Sequence, residues 1–66
     1  MAAVYWVTFC DERTGASFVE SVSSADARTM KRADIRAAYV KARHKAEARL
    51  KRRGVKARAT GVQCVG

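Results

Sequence analysis

The chain has 66 residues and a formal net charge of +8 at pH 7, with 14 Lys and Arg side chains against 6 Asp and Glu. Because ~60 residues bury only about 60% of the surface that they expose when unfolded, we expect residues 1–66 to form a single domain with a thin core. A homodimer contact would add stability to so small a core. No segment approaches the ~20 apolar residues of a membrane span, and the apolar start lacks the basic flank of a signal peptide, which predicts a cytoplasmic protein with no membrane partner.

The first predicted element is a strand over residues 4–10, where β-branched and aromatic side chains follow one another without a helical period. Both of its faces are apolar, which is typical of a central strand with neighbours on each side. These faces are formed by Tyr5, Val7 and Phe9 and by Val4, Trp6 and Thr8. We expect the helix to cover one face and the other to leave an apolar patch of the kind that marks a contact site.

A polar connection follows at residues 11–15 and ends in Gly15. Between two strand-like segments this composition predicts a hairpin with the glycine in the left-handed conformation. The second strand should cover residues 16–23. Phe18 and Val22 share one of its faces with Glu20, whereas serines dominate the other face, so we expect an edge strand.

Residues 25–53 form the only segment long enough for a major helix. An apolar stripe recurs along this segment at the 3.6-residue period and should meet the sheet. Its members are Ile35, Ala38, Tyr39, Ala42, Ala46 and Leu50. Gly54 follows three cations and should end the helix. Glu47 and Lys51 form the one well-oriented ion pair at a spacing of four residues.

The start of this helix is less well defined by the sequence. Ser23 or Ser24 is one candidate for the N-cap and Thr29 is another, which predicts a break, a kink or a loose first turn near residues 29–32. As one helix, residues 25–53 would be ~43 Å long against ~23 Å for a strand of about seven residues. Part of the helix should therefore overhang the sheet unless it breaks near Met30.

The third strand is predicted at residues 55–60, where Val55, Ala57 and Ala59 alternate with polar side chains. Gly61 interrupts the alternation and indicates a bulge or a close backbone approach. The sequence thus predicts an α+β fold of order ββαβ. A right-handed crossover gives a three-stranded antiparallel sheet of order 2-1-3, with one long basic helix packed on one face.

Cysteine and histidine usage gives no sign of a metal site or a catalytic site. Two cysteines and one histidine are too few for a structural zinc site, so we expect reduced, inert thiols at Cys10 and Cys64, at opposite ends of the sheet. His44 falls opposite the apolar stripe and should be an exposed helix residue without a catalytic partner. With no phosphate loop and no paired-carboxylate motif, the sequence predicts a protein that is not an enzyme and takes no cofactor.

Positive charge is concentrated in the second part of the chain. Residues 1–27 hold one cation and four acids, whereas residues 28–66 hold thirteen cations and two acids. This pattern favours a partner with many negative charges, either the phosphate backbone of a nucleic acid, DNA or RNA, or an acidic surface of a host protein. The candidate binding residues are nine cations that lie within eighteen residues: Lys41, Arg43, Lys45, Arg49, Lys51, Arg52, Arg53, Lys56 and Arg58.

Aromatic side chains are a second set of candidate contacts. On a sheet, Tyr5, Trp6 and Phe9 could stack single-stranded bases, although such aromatics are more often core residues. We keep Tyr5 and Trp6 as candidates. The chain has no asparagine and a single glutamine, so the expected binding does not discriminate between base sequences. A structural or ribosome-associated protein that binds RNA without sequence preference fits the same composition.

The chain has a recognisable layout. A first strand with Tyr5-Trp6-Val7-Thr8-Phe9 is followed by a hairpin, a helix, and then Gly54-Val55 leading to Cys64-Val65. This layout resembles the small ββαβ inhibitors of bacterial RNA polymerase made by short-tailed phages. The resemblance implies a compact phage-encoded protein that binds and blocks a host machine, such as RNA polymerase or another nucleic-acid-handling enzyme, in the host cytoplasm.

Overall fold

The computed structural model describes residues 2–27 and 31–66 and places four elements in the order ββαβ. They are strand β1 (Ala2–Asp11), strand β2 (Ser17–Ala25), helix α1 (Arg32–Arg52) and strand β3 (Ala57–Cys64). The strands form one antiparallel sheet of order β2-β1-β3, with α1 on one face. The predicted fold class and strand order are confirmed.

The core lies between the inner face of the sheet and α1. Along β1 every second residue is buried, and these residues are Ala3, Tyr5, Val7 and Phe9. The predicted apolar stripe of α1 faces them. Its residues Ala38, Ala42, Ala46 and Leu50 are buried, and Ile35 and Tyr39 are half-buried. Three alanines in this row leave room for the large side chains of β1 beneath the helix. The helix therefore packs on the face of β1 that carries Tyr5, Val7 and Phe9.

Aromatic contacts fix the register of the first hairpin and the position of the helix. Phe9 lies directly opposite Phe18 in the β1–β2 ladder, and their rings stack at 5.6 Å between centroids. Tyr5 meets Tyr39 of α1 edge to face at 5.5 Å. Such pairs stabilise a fold beyond the area that they bury, by about 0.5–1.5 kcal/mol each.

The hairpin turn between β1 and β2 is built around Asp11. Its carboxylate oxygen Oδ1 accepts hydrogen bonds from the backbone N–H groups of Arg13 and Thr14, at 2.7 and 3.2 Å. The Asp11 carbonyl accepts from the N–H of Gly15, whose φ of +74° lies in the left-handed region that favours glycine. The predicted hairpin with a left-handed glycine is confirmed.

The start of α1 differs from the prediction. Ser23 and Ser24 are not helix caps, because both lie inside β2 and pair with the first residues of β1. The N-cap is instead Lys31, whose backbone is extended and whose side chain makes no capping hydrogen bond. Thr29, the other predicted cap, lies outside the described residues, as does Met30, so two of the four residues of the predicted break are described. The helix begins at Arg32, at the end of the segment where the break was expected.

The end of α1 follows the prediction. Gly54 has a φ of +72°, and its N–H donates to the carbonyl of Lys51 at 3.1 Å. The N–H of Val55 donates to the carbonyl of Leu50 at 3.0 Å, which completes a Schellman motif. Val55 then packs against the core. Because α1 has 21 residues, it is about 31 Å long and matches the ten residues of β1 at about 33 Å, so no overhang is required.

Strand β3 contains the predicted bulge. Thr8 pairs with Gly61 and Phe9 with Ala59, so Thr60 is the extra residue. The bulge switches the alternation, and Val62 and Cys64 then join the inner face. Cys64 pairs with Tyr5, whereas Cys10 pairs with Arg58 towards the other end of the ladder, and both thiols are free. The predicted placement of Cys10 and Cys64 towards opposite ends of the sheet is confirmed.

Candidate nucleic-acid interface

The nine predicted binding cations are all exposed and lie on α1, on the turn after it and at the start of β3. The structure divides them by what their charged groups contact. Four make contacts within the chain, namely Arg43, Lys45, Arg49 and Arg53. Within the described residues the other five make no ion pair and donate no side-chain hydrogen bond, namely Lys41, Lys51, Arg52, Lys56 and Arg58.

Three of the cations that make contacts within the chain lie four residues apart on α1 and its C-cap, and all three reach β2. Lys45 donates from Nζ to the carbonyl of Ser23 at 2.6 Å, and Arg49 donates from Nη1 to the carbonyl of Ser21 at 2.7 Å. Arg53 donates from Nη2 to the carboxylate of Glu20. Residues four apart share one side of a helix, so these cations form a row facing β2. We call Lys45, Arg49 and Arg53 the clamp row.

The clamp row satisfies backbone groups that the sheet leaves unpaired. The N–H and carbonyl of Val4 both pair with the C-terminal residues beyond β3. In an antiparallel sheet, the backbone N–H and carbonyl of a residue point towards the same neighbouring strand. When a central residue bonds to the strand on one side, the residue opposite it on the other strand has its own N–H and carbonyl turned away from the sheet. Ser23 lies opposite Val4, and Ser21 follows the same alternation, so both carbonyls face away from the sheet. These cations therefore have a structural role in addition to any role in binding.

Glu20 is the acid at the centre of this arrangement. Its side chain is 17% exposed and lies near two guanidinium groups, those of Arg53 and, at 4.0 Å, Arg49. On α1 itself, Glu47 pairs with Arg43 at 3.7 Å between Oε1 and Nε. The predicted pair of Glu47 with Lys51 is wrong, because the carboxylate turns back towards the preceding turn of the helix.

The first half of α1 contributes cations that the sequence analysis left out. Arg32 and Arg36 are exposed, and together with Arg43 they follow helical spacing along one side of α1. The spacing of four residues from Arg32 to Arg36 and of seven from Arg36 to Arg43 is the sequence signal that identifies them. They precede the dense run of cations that begins at Lys41, so charge density alone does not identify them.

The two candidate aromatic contacts have different environments. Tyr5 is fully buried, and its hydroxyl donates to the carbonyl of Ala25 at 2.7 Å, so it is not a contact residue and that prediction is corrected. Burial raises the pKa of the Tyr5 hydroxyl above its ordinary value. Phe9 is likewise in the core. Trp6 points to the opposite side of the sheet and is 47% exposed.

The outer face of the sheet is almost uncharged and carries exposed apolar side chains among uncharged polar ones. Trp6 shares this face with the exposed side chains of Val4 and Val19, and its direct partners are Ser21 and Gln63. Arg58 is the one charged residue at the outward positions of the three strands. The predicted apolar patch is present, and it lies on the opposite layer of the molecule from the cations of α1.

His44 is exposed on α1, as predicted. In the described part of the chain, no three His, Cys, Asp or Glu side chains come close enough to hold a metal ion. None of the helical residues that the structure describes form a segment with the length and hydropathy needed to cross a membrane. Comparisons with models of protein families, with curated proteins and with solved structures found no match to this chain.

Proposed function

We propose that this protein is a small, non-enzymatic binding protein that contacts the phosphate backbone of nucleic acid. The observation that supports this proposal is the set of five exposed cations that have no partner within the described residues. Three of them, Lys41, Lys51 and Arg52, lie on α1, Lys56 lies between α1 and β3, and Arg58 lies in β3. Cations without counter-charges attract a polyanion, and each one that meets a phosphate releases a counterion.

The chemistry of this surface supports affinity and gives little discrimination between bases. Phosphate contacts position a protein on nucleic acid, whereas base recognition requires side chains that pair with base edges. Gln63, the only amide side chain, lies on the outer face of the sheet, away from the cations of α1. We therefore expect binding that depends strongly on salt and weakly on base sequence.

Two triple variants test this proposal. The first replaces Lys41, Lys51 and Arg52 with alanine, and the second replaces the clamp row with alanine, so both remove three positive charges from α1 or its C-cap. If phosphate is the partner, the first variant should make the slope of log affinity against log salt shallower by up to ~3 units for duplex DNA, with the melting temperature unchanged. The second should chiefly lower the melting temperature, because it removes contacts to β2.

A gel-shift titration of both variants at low and moderate salt measures these effects. The absence of any binding at micromolar protein and low salt would refute the proposal. Equal effects of the two triple variants on the salt slope would show that total charge alone determines affinity. Arg53 belongs to the second variant and not to the first, because its contact with Glu20 gives it a structural role that the sequence did not indicate.

A second candidate function is supported by the outer face of the sheet. An exposed tryptophan among valines is typical of a protein contact, and the layout of the chain resembles the phage inhibitors of RNA polymerase named above. On this alternative, the chain binds and blocks a host machine in the host cytoplasm, with its cations against an acidic surface. A transcription assay with purified bacterial RNA polymerase tests it: inhibition that Trp6→Ala abolishes would support it, and unchanged transcription would exclude that target.

A further inference from the structure

The exposed half of α1 carries cations on both of its sides. Eleven residues make about three helical turns, so residues eleven apart share a side of the helix. One side carries Arg32, Arg36 and Arg43, and the other carries Lys41 and Arg52. Between the two sides, the first part of α1 has small or apolar residues and one histidine, namely Ala33, Ala37, Val40 and His44, and Lys51 continues this strip three turns after Val40.

Most of these residues, though not Arg43, Lys51 or Arg52, line one continuous surface. A shallow depression on α1 has no carboxylate in its lining, which consists of Arg32, Ala33, Arg36, Ala37, Val40, Lys41 and His44. The two acids of the helix lie beside it. Glu47 pairs with Arg43, and Asp34 lies with Lys41 on a neighbouring depression. Because each side has more cations than acids, both sides keep a positive charge.

The dimensions of this surface match the major groove of duplex DNA. An α-helix with its side chains is about 10–12 Å across, and the major groove is about 12 Å wide and 8.5 Å deep. A helix in this groove has phosphates of one strand on one side and phosphates of the other strand on the opposite side. Cations on both sides of α1 therefore face phosphates on both strands, while the small residues between them let the helix approach the base edges.

The other faces of the molecule fit nucleic acid less well. The cations of the clamp row already contact β2. On the outer face of the sheet, Arg58 is the one charged residue at the outward strand positions. Single-stranded nucleic acid is bound by exposed aromatics that lie within a positive groove. Here Trp6 is on the outer face of the sheet, and the cations of α1 are on the other layer.

We propose that α1 docks in the major groove of duplex DNA, an inference that rests on the nucleic-acid binding proposed above. Arg32, Arg36 and Arg43 contact one phosphate strand, and Lys41 and Arg52 contact the other. Ala37 and Val40 approach the floor of the groove. In duplex RNA the major groove is deep and too narrow for a helix to enter, so the same surface cannot engage it in this way.

Fluorescence anisotropy with labelled duplexes of about 20 base pairs tests this inference. The probes are duplex DNA, duplex RNA of the same sequence and single-stranded DNA, each titrated at low salt. We expect duplex DNA to bind at least about tenfold more tightly than duplex RNA, because only the DNA groove admits a helix. Methyl green, which occupies the major groove, should displace the protein, and Hoechst dye, which occupies the minor groove, should not.

A matched pair of variants locates the contact on α1. Val40→Glu and Val19→Glu place the same charge at exposed valines, 39% and 51% exposed, on the helix and on the outer face of the sheet. Val40→Glu should weaken binding of duplex DNA about tenfold more than Val19→Glu does, because its carboxylate faces the DNA. Circular dichroism confirms that each variant is folded, and the comparison of DNA with RNA requires no variant.

The outcomes separate this inference from the proposed function. Equal affinity for duplex DNA and duplex RNA, or preference for single strands, would overturn docking in the major groove and leave phosphate binding standing. Equal effects of the two glutamate variants, or displacement by Hoechst dye alone, would also overturn it. No binding to any probe would overturn both proposals.

Discussion

Arg53, at the C-terminal end of α1, donates a hydrogen bond to the carboxylate of Glu20 on edge strand β2, 33 residues earlier in the chain. Arg49 lies near the same carboxylate, at 4.0 Å. One acid in the first part of the chain thus holds two cations that could otherwise contact a phosphate. The same contacts therefore connect β2 to the end of α1 and reduce the number of cations that are free to bind a phosphate.

Replacing Glu20 with alanine should have opposite effects on stability and on nucleic-acid binding. The free energy of unfolding should fall by about 1 kcal/mol, since the carboxylate is mostly buried while its arginine partners are half exposed. Affinity should rise and the salt slope should steepen by up to ~2 units, because two cations are released. Thermal melting and gel-shift titration measure the two effects.

Glu47→Ala is the matched control for this prediction, since it removes one carboxylate from an exposed ion pair with Arg43. The stability change should be within about 0.5 kcal/mol. If Glu20→Ala and Glu47→Ala lowered stability equally, the contact between Glu20 and the clamp row would have no structural role.

Lys31→Ser should stabilise the protein. Lys31 already has the extended backbone of an N-cap, but its side chain cannot accept the hydrogen bonds of the first helical turn. A serine hydroxyl can, and such a cap is worth about 0.5–1 kcal/mol, or roughly 2–8 °C in melting temperature for a domain of this size. Lys31→Ala removes the same charge without adding a cap. Equal melting temperatures for Lys31→Ser and Lys31→Ala would contradict this prediction.

The two aromatic residues Trp6 and Phe9 should respond differently to truncation. Phe9 is fully buried, so Phe9→Ala should cost about 3–5 kcal/mol, as expected for a core aromatic. Trp6 lies on the same strand but faces outwards and is half exposed, so Trp6→Ala should cost about 1 kcal/mol. Denaturant unfolding compares them. A cost for Trp6→Ala equal to that of Phe9→Ala would place Trp6 under a partner, such as a second copy of the chain.

Tyr5 should make stability fall at alkaline pH. Burial raises the pKa of its hydroxyl above the ordinary value of 10.0, so the native state holds the proton more tightly than the unfolded state. Stability from this source is complete below pH 10 and declines as the pH rises through the native pKa. Tyr5→Phe should flatten this decline and lower stability at neutral pH by about 1 kcal/mol, since the bond to the carbonyl of Ala25 is lost. An unchanged alkaline decline in Tyr5→Phe would assign it to other groups.

Patterns of local origin predicted much of the fold. The alternation in β1 and the helical spacing from Ile35 to Leu50 depend only on the period of each element, and both identified the core. Gly15 and Gly54 marked turns because each takes a positive φ. The start of α1 could not be predicted in the same way. Ser23 and Ser24 are suited to a helix cap and to an edge strand alike, and pairing with the first residues of β1 decided between them.

The candidate site depended more on tertiary structure. The sequence showed that cations are dense between residues 41 and 58, but it could not show which of them are used within the fold. Lys45 and Arg49 meet carbonyl groups 22 and 28 residues away, and only the placement of α1 beside β2 brings them together. The orientation of β1 likewise decided that Tyr5 is buried and Trp6 exposed.

The clamp row also limits how the sheet can grow. An edge strand with free carbonyls is a template on which another chain can add a strand, and such addition leads to aggregation. Lys45 and Arg49 occupy the outward carbonyls of Ser23 and Ser21, so a foreign strand would have to displace both before it could pair with that part of β2. On the opposite edge, the bulge at Thr60 interrupts the regular spacing that an incoming strand would need. Each edge of the sheet therefore has a feature that hinders the addition of a strand from another chain.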